Sequence, residues 1–397
     1  INTESLDCFL SMGFIPGDRC ILDGFNKLPA AHSLVFNLVN SSISIKKYWE
    51  LPVNQKNNHS ELALTEELDE LLDNSVKLQL MADVPVGILL SGGVDSSLIT
   101  AIASRNSSNL KAFTVRFPNS GKFDETEHAR LIANTFNTEH VELDASNVDP
   151  EILYILARQF DEPIVDSSII PTFLVSQLVQ KHCKVVLSGD GADELFGGYD
   201  HYSRLLKLEQ YSKLTPRLLR SSISFLAENL LPVGVRGRNW AIGCDYSIKK
   251  EVPMIANYFD QKNRKNLLLS SFGEWDVVAE EIFRDNVCSD GDIIQRATRT
   301  DFNNFLVEDI LVKVDRASML NSLEVRAPFL DRKLVEFAFG AVPTNMKTSA
   351  YNSKILLKNL AKKILPKDFN QHRKQGFSIP IDKWLREDKF KDFFHDI

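Results

Sequence analysis

No apolar run in this 397-residue chain approaches the length of a membrane span, and the stretch from Ile1 to Phe14 lacks the basic start of a secretory leader. The expectation is a soluble, cytoplasmic protein with no membrane partner. Cysteine is scarce: Cys8, Cys20, Cys183, Cys244 and Cys288 are odd in number, widely spaced and form no CxxC. That pattern excludes a disulfide framework and a structural zinc, and leaves free thiols, most of them buried, in a reducing compartment. The eight histidines show no metal-ligand spacing such as HxxxH. Basic charge is not in excess either. A net charge of −7 argues against a general nucleic-acid or anionic-membrane binder. Also missing is the Gly-Lys-Ser/Thr of a Walker A loop, so any phosphate chemistry must use a different loop.

What is present begins with length and a 44% hydrophobic share, enough for one large domain plus a smaller piece. The apolar run Val86-Gly87-Ile88-Leu89-Leu90 has the composition of a buried parallel strand. It breaks into Ser91-Gly92-Gly93, and after Asp95-Ser96-Ser97 a helix begins. Strand, Gly-rich loop and helix N-terminus together make an anion site, because unpaired N–H groups and the helix dipole aim at one place. Asp95 among those hydroxyls is a candidate Mg2+ ligand.

Around this stretch the pattern alternates. His32 to Leu38 and Ser42 to Lys46 read as a hairpin that needs a sheet or helix to cover it. Leu64, Leu68, Leu71, Leu72 and Val76 recur at helical spacing behind Ser60 as N-cap. Further strands are expected at Leu110 to Phe117, His140 to Leu143 and Lys184 to Leu187. Helices are expected at Glu125 to Phe136, Pro150 to Gln159 and Pro171 to Lys181. The fold class that follows is α/β, a doubly wound parallel sheet with ligand sites at the carboxyl ends of its strands. The last strand opens into a second loop, Ser188-Gly189-Asp190-Gly191-Ala192-Asp193-Glu194 through Gly197-Gly198-Tyr199. Two such loops in one sheet converge on a single site.

Tyr202 to Asp309 is helical in pattern and chemically mute. Asp309 to Leu323 reads as a helix carrying Lys313, Asp315 and Arg316, followed by Glu324-Val325-Arg326-Ala327-Pro328, where Pro328 should end or kink the element. Glu324 and Arg326 are expected to form a buried ion pair. Between Lys347 and Lys374 lie eight Lys or Arg residues against the single acid Asp368, most of them expected on a solvated helix face. The cluster ends in Arg373-Lys374-Gln375-Gly376, a cation on a Gly-containing loop.

In this order the motifs resemble the synthetase domain of glutamine-dependent asparagine synthetases. Ser91 to Ser96 is similar to that family's SGGxDS, Ser188 to Tyr199 to its SGEGxDE…GGY, and Glu324 to Asp331 to its E-x-R-x-P-F-L-D. Arg373-Lys374 is similar to its catalytic-lysine loop, and Phe123 to Glu127 and Asp161-Glu162-Pro163 also fit. The resemblance implies a sheet of the ATP-pyrophosphatase (PP-loop) type with a largely helical C-terminal part, over residues 60–397. Residues 1–52 would be the C-terminal edge of a glutaminase domain and its linker. The rest of that domain is not in this sequence, and Cys8 is no substitute for its N-terminal nucleophile. The expectation is therefore a fragment, or a protein supplied with ammonia directly or by a partner.

The implied reaction activates a carboxylate, in the type case the side chain of aspartate, with ATP to an acyl-adenylate, which ammonia converts to an amide. Ser91, Gly92, Gly93 and Ser96 would hold pyrophosphate, and Asp95 and Asp193 would hold Mg2+. Leu89, Val115, Ser188 and Gly189 would contact adenosine, Lys374 would stabilise the α-phosphate, and Asp190 would take a proton from ammonia. Asp190 stands where many relatives have Glu, and Arg116 where they have a small residue. Lys313, Asp315, Arg316, Glu324 and Arg326 would hold the site together. An amidotransferase acting on a uronic acid or a secondary metabolite shares these ATP motifs, and a non-catalytic nucleotide-binding scaffold shares the fold. The acidic balance disfavours a tRNA-modifying relative. Oligomeric state is open, a homodimer included.

Overall fold

The computed structural model describes residues 1–53, 59–116, 125–144, 149–232, 234–246, 251–254, 257–272, 276–288 and 291–371. Helix α1 (Thr3–Met12) starts where the Asn2 side chain accepts the N–H of Ser5 and stops at Gly13 in the left-handed region. Its buried face, Cys8 and Met12, packs with Phe14 against Ala279 and Ile282. Asp7 on that helix is fully buried, pairs with Arg264 at 2.7 Å and accepts the N–H groups of Val278 and Ala279. The first residues are thus fastened to the helical part of the molecule. The expected hairpin follows as β1 (His32–Asn37) and β2 (Ser42–Lys47), antiparallel with Leu34 opposite Ile45. Its expected cover is missing among the described residues: Val35 is 65% and Ile43 62% exposed.

Helix α2 (Glu61–Gln79) begins as expected, with Ser60 Oγ accepting the N–H of Ala63. Leu64, Leu68, Leu72 and Val76 are all buried in the main core, each worth roughly 1.5–3 kcal/mol of transfer free energy. There follow β3 (Val86–Leu89), α3 (Val94–Asn106), β4 (Lys111–Arg116), α4 (Thr126–Thr135), β5 (Glu139–Asp144), α5 (Ile152–Gln159), α6 (Ile169–Val179) and β6 (Val185–Leu187). These are the strands and helices read from the sequence, shifted by one or two residues, except that α3 starts at Val94 rather than after Ser97 and so takes Asp95 and Ser96 into its first turn. The sheet holds one strand more, β7 (Glu324–Arg326), and its order is β5-β4-β3-β6-β7 with every neighbouring pair parallel.

Alternate residues of each strand serve the two faces. Ile88, Ala112 and Leu187 enter the core shared with α2 and α3, while Phe113, Val186 and Leu143 pack with Val175 and Val179 of α6. Helices on both faces make the sheet doubly wound, as expected. Beyond it run α7 (Ala192–Phe196), α8 (Asp200–Leu214), α9 (Arg217–Leu230), α10 (Arg238–Gly243), α11 (Gln261–Phe272), α12 (Ala279–Asp285) and α13 (Ile293–Asp301). A π-helical stretch, Phe302–Ile310, links α13 to α14 (Leu311–Met319). After β7 come a single 3₁₀ turn opened by Pro328, then α15 (Arg332–Gly340), α16 (Thr344–Lys347) and α17 (Ile355–Ile364).

Three expectations change. Glu324 and Arg326 do pair at 2.7 Å, but at the rim, with the Glu324 side chain 54% exposed. β7 is an edge strand, and Arg326 spends its guanidinium on the carbonyls of Gln79 and Met81 at the end of α2. The five thiols are free, yet only Cys8 and Cys183 are buried; the other three are half-buried. The basic run after Lys347 is not uniformly solvated: Lys362, Lys363 and Lys367 are exposed, whereas Lys347 and Lys354 are buried.

Lys347 is fully buried with its Nζ 4.4 Å from the Phe339 ring. Burial, helped by the nearby Arg299, pushes its ammonium down from 10.5 to about 7. The unfolded chain then binds more protons between pH 7 and 10.5, so this residue makes stability rise with pH across that window. Lys347→Met is expected to raise the urea midpoint at pH 7 and to remove that rise. Urea titrations of both proteins at pH 7 and 9.5 check it; an equal slope in the two would contradict the assignment.

Candidate active site

Successive crossovers leave β3 in opposite directions, to β4 and β5 on one side and to β6 and β7 on the other. The strand order therefore reverses between β3 and β6, and a crevice opens there at the carboxyl ends. Ile88 lies opposite Leu187, so the two Gly-rich loops leave the sheet side by side. The Ser188 N–H donates to the carbonyl of Arg326 on β7, which pins the second loop from its other flank.

The first loop is preset by its own hydroxyls. Ser96 Oγ lies 3.0 Å from Ser91 Oγ and accepts the Ser91 N–H, while Ser91 Oγ accepts the N–H of Gly93. Helix α3 starts at Val94, and its first intrahelical bond runs from Ser97 N–H to the Gly93 carbonyl. The N–H groups ahead of Ser97 are those a helix cannot satisfy internally. Gly92 has φ +76°, and a Cβ there would stand 2.7 Å from His128 Cβ and 2.9 Å from the Ala129 nitrogen. This glycine lets the loop lie directly on α4.

The second loop turns through Gly191 at φ +89° into α7, which brings Asp193 toward Asp95. A cation joins them. Lys354 Nζ is 2.5 Å from Asp95 Oδ2 and 3.0 Å from Asp193 Oδ1. Burial opposes its charge, but Asp193 and Asp95 outweigh it and hold the ammonium protonated well above the ordinary lysine range. Lys354 sits in the left-handed region at φ 54° ahead of α17, a conformation that costs of order 1–3 kcal/mol outside glycine. The ion pairs offset that strain. Within the basic run, expected to be mostly solvated, nothing in the sequence singles this lysine out; an αL residue before a helix has no signature that periodicity detects.

The crevice is a cavity of about 270 Å³. Leu89, Ser91, Asp95, Ser96, Val115, Ser188, Gly189, Asp190 and Asp193 all line it, so the structure brings these expected site residues together. Gly92 and Gly93 stand just behind, shaping the loop, and Lys374 lies outside the described residues. Ser188 Oγ donates to Asp190 Oδ2 at 2.7 Å. Glu194, also on the wall, is a residue the sequence reading left without a role. Burial first, then the Asp193 carboxylate, push it up to about 8, and the Tyr199 hydroxyl donates to its Oε1.

Behind the wall, Lys313 pairs with Asp166 at 2.7 Å and Arg316 with Asp161, which ties α14 to the segment before α6. Arg116 lies within 4 Å of Glu142 and Asp144, half-exposed. Cys8 is remote from this cavity and inert, its thiol pushed up to about 12 by burial. Two carboxylates that converge on one cation, beside the N-terminus of α3, fit a magnesium–phosphate ligand. Mg2+ is held by one or two carboxylates plus phosphate oxygens and water rather than by a full protein cage, and no group of three potential ligands occurs among the described residues.

Gly198 has no room for a side chain: a Cβ would overlap Asp193 Oδ1 and Lys354 Cε. Gly198→Ala is expected to part Lys354 from Asp193 and to weaken binding of magnesium pyrophosphate at least tenfold by calorimetry. Gly340→Ala, whose Cβ would meet only Pro52 at 3.5 Å, is the control. Equal affinity in the two variants would refute the bracketing role of Lys354.

The model of the family described as asparagine synthase matches residues 67–397. Asparagine synthetase (glutamine-hydrolysing) 1 of Bacillus subtilis is 31% identical over 397 residues, covering 98% of this chain and 61% of its own length. A putative asparagine synthetase (glutamine-hydrolysing) of Mycobacterium tuberculosis is 34% identical over 337 residues, 83% of this chain and 50% of its own. Amidase chyE of Penicillium rubens is 25% identical, covering 92% of this chain and 60% of its own. The chain thus spans about half to three fifths of the length of these curated relatives. A solved NH3-dependent NAD synthetase from Campylobacter jejuni overlaps 36% of this chain and 61% of its own with a TM-score of 0.25 and 22% identity. The family match starts inside α2 and runs through every residue that shapes the crevice: the chain belongs to the asparagine synthase family.

Proposed function

We propose that this chain carries out ATP-dependent amide synthesis, with the side-chain carboxylate of aspartate activated as an acyl-adenylate and then aminated by ammonia. The observation that carries the reading is the Asp95–Lys354–Asp193 bracket at the strand-order reversal. A carboxylate oxygen would form a bond to the α-phosphorus of ATP while the bond to the bridging oxygen breaks and pyrophosphate leaves. The loop from Ser91 to Ser96, with the start of α3, would hold the departing pyrophosphate. Asp95 and Asp193 would hold Mg2+, which neutralises phosphate oxygens. Lys354 would meet the charge that builds on the α- and β-phosphates, a fixed electrostatic contribution of the kind that dominates such steps. Lys374 would add a second cation. Leu89, Val115, Ser188 and Gly189 would flank the adenosine.

Ammonia would then attack the acyl carbon and expel AMP. Asp190, oriented by Ser188, would take the surplus proton. Relatives named glutamine-hydrolysing favour a glutaminase domain or partner subunit as the source of that ammonia. A second reading, amidation of a different carboxylate, is favoured by the relatives named amidases, since acceptor choice lies in pocket shape rather than in the ATP loops.

Aspartate-dependent exchange of pyrophosphate into ATP tests the first step alone. Lys354→Met is expected to lower it at least a thousandfold. Asp190→Asn should leave exchange within threefold of wild type and slow asparagine formation from ammonium about a hundredfold, within the usual range for a general base. Exchange that proceeds without any carboxylate, or that is untouched by Lys354→Met, would overturn the proposal.

A further inference from the structure

A second cavity, of about 650 Å³, lies against the first. Tyr199 lines both, and two neighbours on the π-helical stretch divide between them: Ile310 faces the nucleotide crevice and Asp309 the second cavity. A π-helical stretch places consecutive side chains differently from an α-helix, and such stretches occur at functional sites. The remaining wall comes from the helical region after Tyr199 and from Met12, Phe14 and Pro16. It is chiefly apolar and aromatic, with Leu205, Trp240, Val252, Tyr258 and Phe305 on it.

Most polar side chains on this wall already have partners. Asp301 accepts from the Tyr202 hydroxyl at 2.7 Å and contacts His201 at 2.9 Å. Asn304 donates to the Thr300 carbonyl, Asn257 accepts from Asn239, and the Tyr258 hydroxyl donates to the Val165 carbonyl. Asp309 differs. Its side chain is 2% exposed, and although the carboxyl hydrogen-bonds to the Asp166 side chain, its Oδ1 has no hydrogen-bond partner among the described residues. Burial, then the Asp166 carboxylate, push Asp309 up to about 8, even though Lys313 opposes the shift. A buried carboxyl oxygen left without a donor costs stability. A ligand that supplies the donor recovers it.

We propose that the acceptor of the proposed adenylation is a carboxylic acid larger than aspartate. Its apolar or ring-bearing body occupies the second cavity, an amino group on it donates to Asp309 Oδ1, and its carboxylate passes Tyr199 to the nucleotide. The volume falls in the range of pockets that enclose whole drug-sized ligands, roughly 300–1,000 Å³. A small diacid would leave most of it unfilled. This rests on the adenylation step proposed above but develops its second reading, a carboxylate other than free aspartate, and it gives a task to the helical region between Tyr199 and Asp309.

The test uses the chain with ATP, Mg2+ and labelled pyrophosphate. Exchange is measured with L-aspartate, with aspartyl-phenylalanine amide, which keeps the side-chain carboxylate and free amine but adds a ring, and with the N-acetyl form of that dipeptide. The dipeptide is expected to show a KM at least tenfold below that of aspartate. N-acetylation should erase the advantage in the wild type, and Asp309→Leu, close in size but without an acceptor oxygen, should show a smaller penalty for the same acetylation. Ala297→Phe, which sets a ring into the second cavity from α13, should raise the dipeptide KM at least tenfold and leave the KM for ATP unchanged. Aspartate preferred over the dipeptide, with its KM indifferent to Ala297→Phe, would overturn this inference and leave adenylation standing. No exchange with any acid, while ATP still binds, would bring down the adenylation reading itself.

Discussion

The site depends on one ammonium ion held between two carboxylates that reach it from different loops. Asp95 and Asp193 are separated in sequence by strands β4, β5 and β6, and Lys354 comes from a third region altogether. Without a cation, two carboxylates at this separation would repel in a poorly solvated place, and one would have to take up a proton. Much around the bracket serves to make room for it. Gly198 has no side chain, Lys354 accepts a left-handed backbone, and α17 packs on α2 and α3 in the main core. The sheet fixes where the loops emerge; the ion pairs fix where they point.

Much of the scaffold was legible because burial leaves a periodic trace. Leu64 to Val76 announced α2, and the short apolar runs ending at Leu89 and Leu187 announced two adjacent strands. Ser91, Asp95, Asp190 and Asp193 were legible because glycines, hydroxyls and carboxylates after a strand have few structural uses together. β7 was not, since three residues with a charge at either end carry no period. Lys354 and Lys347 were hidden inside a basic run, and composition cannot separate a solvated lysine from one that a buried acid pair or an aromatic face receives. The π-helical stretch was hidden too, because its sequence pattern is that of an ordinary helix. Those three features are tertiary in origin, and each lies next to a cavity or a buried charge.

Protonation adds a further layer. Glu194 and Asp309 are both pushed up to about 8, chiefly by burial and secondly by a neighbouring carboxylate, Asp193 in one case and Asp166 in the other. Each pair therefore comprises one carboxylate paired with a lysine and one acid whose ionisation burial opposes. Lys354 decides the first pair and Lys313 the second. Of these acids Glu194 stands on the wall of the nucleotide crevice and Asp309 on the wall of the larger chamber, with Tyr199 on both.

The position of β7 also governs how the chain assembles. β6 pairs with β3 on one side as soon as both exist, but its other edge waits for Glu324 to Arg326, about 140 residues further along. On a ribosome adding roughly 5–20 residues per second, that is a delay of about 7–28 s. Throughout it, the strand that leads into Ser188 and Asp190 has an unpaired edge, the kind of surface that recruits foreign strands. β6 is only three residues long, which keeps that edge short while the intervening helices emerge. The nucleotide crevice, whose wall includes Val325, is completed only when the late strand docks.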